Sequence, residues 1–223
     1  MNKKNEVNKS VSLFKRHRIF QSIRNIFSRY NREKRIIEFK KKFIEGNSSI
    51  SLLDLGGNPS FWHFIDRPLH ITCVNLPSVR LGSRPPQHDF TIIEGDACSL
   101  PQFADGSFDI VFSNSVIEHV GDRKRIAQFA SEARRLGRAY WIQTPSKWFP
   151  FEAHCGMPFW WFYPEGLRKW FMARWRRRLP NWTKMMEEVT VLERAELEAL
   201  FPDAEIVAER FLFLTKSYIV VKR

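Results

Sequence analysis

Short apolar segments recur along residues 50–221, and their spacing constrains the fold more than any other feature of the sequence. Five predicted strands, at 50–55, 70–76, 90–94, 108–113 and 138–143, each run into glycine, proline or small polar residues. A helix is predicted from about 122 to 136, because five apolar residues fall on one face: Ile126, Phe129, Ala130, Ala133 and Leu136. Short strands interleaved with helical segments indicate an α/β protein with a mainly parallel sheet and helices on both faces.

The end of the sequence predicts a helix near 194–201 and two strands, at 205–210 and 216–221, which form a closing pair. At 223 residues and 26.5 kDa, the chain fits one α/β domain with an appendage. Residues 1–45 contain 14 Lys or Arg and 4 Asp or Glu, so +10 of the net charge of +12 lies there. We therefore predict a basic amphipathic helical arm at 1–47 and a catalytic body at 48–223.

The predicted helix of the arm, at 11–45, rests on Phe20, Ile23, Phe27 and Tyr30, which recur at three- and four-residue steps. Such a helix could lie on an anionic membrane, contact nucleic acid or pack as an extra helix, and we favour packing with some membrane affinity. The three cysteines are far apart and lack metal-site spacing, which indicates a reducing compartment. Because the sequence has no apolar run of membrane-spanning length and no signal-peptide core, we expect a cytoplasmic protein. Membrane affinity of the arm would place it peripherally at the inner face of the membrane.

Polar or glycine residues follow the first four strands at their carboxyl ends, where open α/β sheets bind ligands. Gly56 and Gly57 let backbone approach a ligand closely, although the turn is not a G-x-G-x-x-G pattern. Asn75 could hydrogen-bond ribose hydroxyls, and Asp96 could accept from an adenine amine. Ser113 and Asn114 end the fourth strand. Each feature alone is more often a turn or a cap; four consecutive strand ends together predict a binding site.

Three stretches, LLDLGGNPSFW at 52–62, VNL at 74–76 and EGDACSLPQFADGSFDIVFSNSVIEHV at 94–120, resemble class I S-adenosylmethionine-dependent methyltransferases. The closest resemblance is to small bacterial enzymes of the ubiquinone and menaquinone biosynthesis type, over roughly 50–222. It implies a Rossmann-like seven-stranded sheet whose last strand is antiparallel, and S-adenosylmethionine as cofactor. The residues it places at the cofactor are Asp54, Gly56 and Gly57 at the methionine and ribose side, Asn75 and Leu76 at the ribose, Asp96 and Ala97 at adenine, and Ser113 and Asn114 at the amino-acid end.

Methyl transfer needs a general base only where the acceptor must lose a proton, as a hydroxyl must. The candidate catalytic bases are His154, after the fifth strand, and His119, after the fourth. Alternatively, Glu118 and His119 simply cap and pack the start of the next helix. We expect no metal, because Glu152, His154 and Cys155 are too crowded in sequence to share one.

Residues 159–182 contain five of the eight tryptophans and a run of arginines. We predict an aromatic and basic lid over about 148–182, with Glu152, Trp160 and Trp161 as candidate substrate contacts. The alternative is a helix whose Trp170, Phe171 and Trp175 pack on the core while its arginines stay solvated.

The expected function is methylation, through oxygen more than carbon or nitrogen, of a small-molecule, lipid-linked or glycan-linked acceptor. A nucleotide-dependent oxidoreductase is disfavoured, because the turn after the first strand lacks the phosphate-binding glycine pattern. Two alternatives stay open: an RNA methyltransferase recruited through the basic arm, and a non-catalytic binding protein with the methyltransferase fold. Nucleic acid is not the favoured partner, since the fourth strand ends in Ser-Asn-Ser. The sequence does not predict the oligomeric state.

Overall fold

The computed structural model describes residues 32–46, 50–77 and 79–223. Contacts divide the chain into two compact units, residues 1–47 and residues 48–223. In the first unit, residues 32–39 form an α-helix that continues as a wider π-helical turn, Lys40–Ile44. Its apolar residues Ile36, Phe39, Phe43 and Ile44 are buried. The rest of the predicted arm helix, including Phe20, Ile23, Phe27 and Tyr30, lies outside the described residues.

The second unit is built on a seven-stranded sheet in the order β3-β2-β1-β4-β5-β7-β6. Its strands are β1 Ser51–Leu55, β2 His70–Asn75, β3 Asp89–Glu94, β4 Phe108–Asn114, β5 Gly137–Pro145, β6 Glu205–Phe211 and β7 Leu214–Lys222. Strands β1 to β5 pair in parallel, and β7 is antiparallel to both β5 and β6. The predicted fold class, a Rossmann-like sheet with an antiparallel last strand, is confirmed.

Four α-helices follow in the described part of this unit: α1 Arg123–Leu136, α2 Glu165–Arg176, α3 Pro180–Glu188 and α4 Arg194–Leu200. Helix α1 begins after Asp122, whose side chain accepts a hydrogen bond from the Arg125 N–H and so satisfies a donor that the helix cannot. Helix α4 begins with a capping box between Glu193 and Glu196. These caps explain why both helices begin within a residue of their predicted positions.

The two faces of the sheet are covered differently. Helices α1 and α4 bury one face, with Leu53, Val111 and Leu197 in a single apolar cluster. On the opposite face, a 3₁₀ segment, Pro59–Phe64, follows β1, and its Phe61 and Trp62 rings pack on Phe112. Among the described residues between β1 and β3, this segment is the only helical one. The described residues contain no helix long and apolar enough to cross a membrane.

The parallel strands β1 to β5 bring their carboxyl ends to one edge of the sheet. In register, Leu55 lies beside Val74, and Asn114 beside Gln143. The turns that follow β1, β2, β4 and β5 therefore meet at this edge, where the sequence predicts the site.

Candidate active site

The turn after β1 is shaped by two glycines. Gly56 has a positive φ of 69°, a conformation that residues with a side chain rarely adopt. Gly57 lies so close to Asp54 that a Cβ atom built on it would be 1.8 Å from the carboxylate Oδ2. A side chain at Gly57 would therefore displace Asp54. The next residue, Asn58, accepts hydrogen bonds from the backbone N–H groups of Ser60 and Gly82.

Asp54 is buried at the end of this turn, and one of its carboxylate oxygens is satisfied by the protein. Trp62 Nε1 donates to Oδ2 at 2.8 Å, whereas Oδ1 has no hydrogen-bond partner among the described residues. Burial raises the pKa of Asp54 to about 7, although the Trp62 hydrogen bond works to lower it. A buried acceptor without a donor fits a ligand that brings one, such as the ammonium group of S-adenosylmethionine.

Asn75, at the end of β2, is joined to the same turn. Its side-chain Nδ2 donates to the Gly57 carbonyl at 2.9 Å, so the amide holds the glycine turn in place. The side-chain oxygen of Asn75 is the part that can accept from a ribose hydroxyl. The neighbouring Leu76 is 59% exposed, at the rim of the edge.

Asp96, the predicted adenine contact, has both carboxylate oxygens engaged by the protein. Arg125 Nη2 donates to Oδ2 at 2.5 Å, and the Cys98 N–H donates to Oδ1 at 2.9 Å. Burial works to raise the pKa of Asp96, but these hydrogen bonds lower it overall. Asp96 therefore ties the loop containing Ala97 to α1, and an adenine amine would have to share an oxygen already in use.

The end of β4 contributes Ser113, which is fully buried and donates from Oγ to the Leu55 carbonyl at 3.0 Å. Asn114 follows as the last residue of the strand, and Ser115 then adopts a left-handed backbone with φ 57°. Of the predicted cofactor residues, Asn75 is hydrogen-bonded to Gly57, which lies against the Asp54 carboxylate, and Ser113 is hydrogen-bonded to the neighbouring β1. Asp96 and Ala97 belong to a separate network with α1. Their contact with a cofactor stays a prediction.

The two candidate bases meet. His119 ends the 3₁₀ turn Ile117–His119, and His154 lies in the turn after β5. Their Nε2 atoms are 2.9 Å apart, with the ring planes at 90°. Because these residues are 35 positions apart, only the parallel pairing of β4 and β5 brings them together.

Glu152 orients His154. Its Oε1 lies 2.7 Å from His154 Nδ1, and its Oε2 accepts from the backbone N–H groups of His154 and Cys155. Burial works to raise the pKa of Glu152, but these hydrogen bonds lower it overall, so the carboxylate is ionised at neutral pH. Burial likewise works to lower the pKa of His154, and the adjacent Glu152 raises it overall. Burial, followed by repulsion from His154, lowers the pKa of His119 to about 4, so His119 is neutral.

Glu118, which the sequence predicts only as a cap at the start of the next helix, lies beside the two histidines. Its buried carboxylate accepts a hydrogen bond from Thr144 Oγ1 at 3.0 Å across the ends of β4 and β5. One oxygen of Glu118 and a nitrogen each of His119 and His154 lie within 4.8 Å of one another. The adjacent Glu-His pair in the sequence was a signal, but a cap at the start of α1 explained it equally well.

A small pocket opens beside this cluster. The carboxylates of Glu118 and Glu152 and the imidazole of His154 line it. The full lining is Glu118, Pro145, Ser146, Glu152, Ala153, His154, Trp161, Val189 and Val191. The predicted substrate contacts Glu152 and Trp161 thus both border it, whereas Trp160 does not. Trp160 is 2% exposed and packs on Phe171 and Trp175. Core packing therefore accounts for Trp160.

The predicted lid region, about 148–182, contains both packed aromatic rings and exposed ones. Its Trp160, Phe171, Trp175 and Trp182 rings pack in a chain. Five other aromatic side chains between residues 148 and 170 are at least half exposed: Trp148, Phe151, Phe159, Phe162 and Trp170. The packed rings support the segment, and the exposed rings give it an apolar outer surface.

Comparisons with known proteins identify the type of domain and its fold. Residues 62–139 match the family model described as a methyltransferase domain. A protein of Pyrococcus horikoshii OT3 (PH0226) is 16% identical, with a TM-score of 0.52, over 88% of this chain and 89% of that one. An O-methyltransferase family protein of Burkholderia thailandensis is 13% identical, with a TM-score of 0.52, over 85% of this chain and 55% of that one. The N-terminal domain of EvdMO1, determined with SAH and D-fucose, is 16% identical, with a TM-score of 0.51, over 86% and 82%.

Comparison of the sequence with curated proteins gave no match. At these identities the structural similarities show the fold, and the family model adds the domain type. The chain therefore has the fold of class I S-adenosylmethionine-dependent methyltransferases, with a methyltransferase domain over residues 62–139, as the sequence resemblance predicts. The methyltransferase domain supports S-adenosylmethionine as cofactor, and the partnerless Asp54 oxygen fits its ammonium group.

Proposed function

We propose that this protein transfers the methyl group of S-adenosylmethionine to an oxygen atom of a small-molecule, lipid-linked or glycan-linked acceptor. The observation that carries the proposal is the His119–His154–Glu152 cluster beside the pocket. An acceptor hydroxyl must lose its proton, and His154, which lines the pocket and contacts both Glu152 and His119, is placed to bring about the loss. A neutral amine, by contrast, can take the methyl group before any proton leaves it.

The cluster lies close to the predicted cofactor turn. The Val116 side chain lies against Gly56, since a Cβ atom there would be 2.7 Å from it, and the His119 N–H donates to the Val116 carbonyl. A cofactor seated on the glycine turn and an acceptor seated in the pocket would therefore meet near the ends of β1 and β4. Holding the two in line is the main contribution that a protein makes to displacement at an activated methyl group.

When bound, S-adenosylmethionine supplies a methyl group activated by its sulfonium charge. The chain's residues then position the acceptor and exclude water: Trp161 borders the pocket as an apolar surface suited to a sugar or ring, and Glu152 and His154 border it as polar groups. The descriptions of two structural neighbours are compatible with this acceptor class, one as an O-methyltransferase family protein and one studied with D-fucose.

The test is transfer of labelled methyl to fractionated glycans, membrane extracts and structured RNA, followed by release of the label under conditions that distinguish ethers and esters from amines. We expect label on oxygen in the first two fractions. His154→Asn should lower the transfer rate by about 10²–10⁴-fold and leave the Kd for S-adenosylmethionine unchanged. Label only on RNA, or only on nitrogen, contradicts the proposal. Cofactor binding with no transfer to any fraction favours the non-catalytic alternative.

A further inference from the structure

The cluster at the ends of β4 and β5 has the composition of a metal site. It combines two imidazole nitrogens and a carboxylate oxygen, all within 4.8 Å of one another. These residues, Glu118, His119 and His154, differ from the crowded set Glu152, His154 and Cys155 considered from the sequence. The structure assigns to them a binding site for a divalent transition-metal ion of the zinc class.

The two histidines already aim at a common point. Their Nε2 atoms approach to 2.9 Å, and two nitrogens that bind zinc in a tetrahedral arrangement lie about 3.3 Å apart. If both rings present lone pairs from Nε2, they repel each other unless a cation lies between them. A small outward movement of the rings would admit a metal ion at that point.

Glu152 has the position of an orienting partner and not of a ligand. Its Oε1 faces His154 Nδ1 at 2.7 Å, and its Oε2 is occupied by two backbone N–H groups. Metal-binding histidines usually donate their second ring N–H to such a carboxylate, which sets the tautomer and makes the other nitrogen a better ligand. In the neutral form of His154 with its proton on Nδ1, the hydrogen bond to Glu152 therefore directs the Nε2 lone pair toward His119.

Glu118 supplies the third ligand. The Thr144 hydroxyl steadies one of its oxygens at 3.0 Å, and the carboxylate is buried beside the two rings. The ligand atoms of the three residues lie within 4.8 Å of one another. Rotation of the Glu118 side chain is therefore needed to bring one of its oxygens to about 2 Å from a metal ion held by the two histidines. Two histidines and one carboxylate, with one position left open, form a ligand set that zinc uses in catalytic sites.

The open position would face the pocket, whose wall includes Glu118 and His154. The catalytic role of the metal ion rests on the proposed function. The acceptor hydroxyl would bind at the open coordination position, where the metal ion would lower the pKa of the hydroxyl so that its proton leaves to water. The resulting oxygen forms the O–CH₃ bond as the C–S bond breaks, and the electron pair of that bond returns to sulfur. The sulfonium becomes a neutral thioether, so atoms and charge balance without an oxidant or reductant.

Metal binding is tested first, and without reference to methyl transfer. The full chain, free of added histidines and stripped with a chelator, is titrated with Co²⁺, whose visible ligand-field bands report coordination number, and then with Zn²⁺ as competitor. We expect bands typical of tetrahedral or five-coordinate Co²⁺ that saturate at equimolar metal and disappear on Zn²⁺ addition. The double variant His119→Asn/His154→Asn should show no such bands, and Glu152→Gln should weaken binding by about 10–100-fold.

Two controls make the result specific. His63→Asn changes a histidine outside the cluster, and Asp54→Asn changes the cofactor turn; both should keep the Co²⁺ spectrum of the unchanged protein. Retention of S-adenosylmethionine binding by the double histidine variant shows that it is folded. Octahedral Co²⁺ bands only, or bands that survive in the double variant, overturn the metal site.

The catalytic role is tested separately. Metal-stripped protein should lose transfer to hydroxyl acceptors and regain it with Zn²⁺. If metal binds but oxygen is never methylated, the proposed function fails and the metal site stands. If metal-stripped protein methylates oxygen at the full rate, the proposed function stands and the catalytic role of the metal fails.

Discussion

At the scale of single residues, Gly57 is the position where the structure tolerates least change. Gly57→Ala would place a methyl group on the Asp54 carboxylate, and the Asn75 bond to the Gly57 carbonyl would be disturbed as well. We expect this variant to lose S-adenosylmethionine binding in calorimetric titration. The matched control is Gly166→Ala in α2, where a Cβ atom meets nothing within 4 Å. That control should bind normally and be at least as stable as the unchanged protein; equal behaviour of the two variants contradicts the argument.

Asp54 also predicts how stability depends on pH. Burial raises its pKa from 3.8 to about 7, so the folded protein holds a proton there that the unfolded chain releases above about pH 4. The contribution of Asp54 to the free energy of unfolding is therefore complete below pH 4 and falls as pH rises to about 7, by up to about 4 kcal/mol. Denaturant unfolding of cofactor-free protein across this range measures it. Asp54→Asn should flatten the slope, and an unchanged slope would assign it to other groups.

At the scale of elements, the segment from β5 to α3 presents exposed aromatic rings together with the arginines Arg174, Arg176, Arg177 and Arg178. We propose that this surface contacts an anionic membrane, since arginines attract lipid phosphates and aromatic rings insert at the headgroup level. Phe159→Ser/Trp170→Ser should weaken sedimentation with phosphatidylglycerol-containing vesicles by about tenfold or more. Phe213→Ser, an exposed phenylalanine in the β6–β7 turn, is the matched control. Equal binding to neutral phosphatidylcholine vesicles would remove the electrostatic part of the proposal.

The elements also show what the sequence could predict. Strands β1 to β5 and helix α1 follow from apolar periodicity and capping, which are local properties that the neighbouring residues encode. The 3₁₀ segment Pro59–Phe64 is harder to predict, because its stability depends on Trp62, which reaches back to Asp54 and packs on Phe112. The sequence predicts His119 and His154 separately, each as a candidate base. It does not predict their contact, because that depends on which two strands are neighbours.

At the scale of the whole molecule, cofactor binding should raise the melting temperature. A ligand present at 100 times its Kd stabilises the folded state by about 2.7 kcal/mol. For a chain of this length, that corresponds to an increase of about 5–10 °C. Differential scanning fluorimetry with S-adenosylmethionine measures it, and Asp54→Ala should show no increase. An equal increase in the variant would place the cofactor away from the glycine turn.

The position of β7 has a consequence for how the molecule is made. This strand is synthesised after β5 and β6 but lies between them, antiparallel to both. Until its residues have left the ribosome, β5 has an unpaired edge, and the turn that carries Glu152 and His154 extends from a strand with one neighbour instead of two. The glycine turn, on strands paired earlier in synthesis, can form first. The half of the site that receives the acceptor is therefore completed last during biosynthesis, and until then the nascent chain presents an open strand that chaperones or other chains can bind.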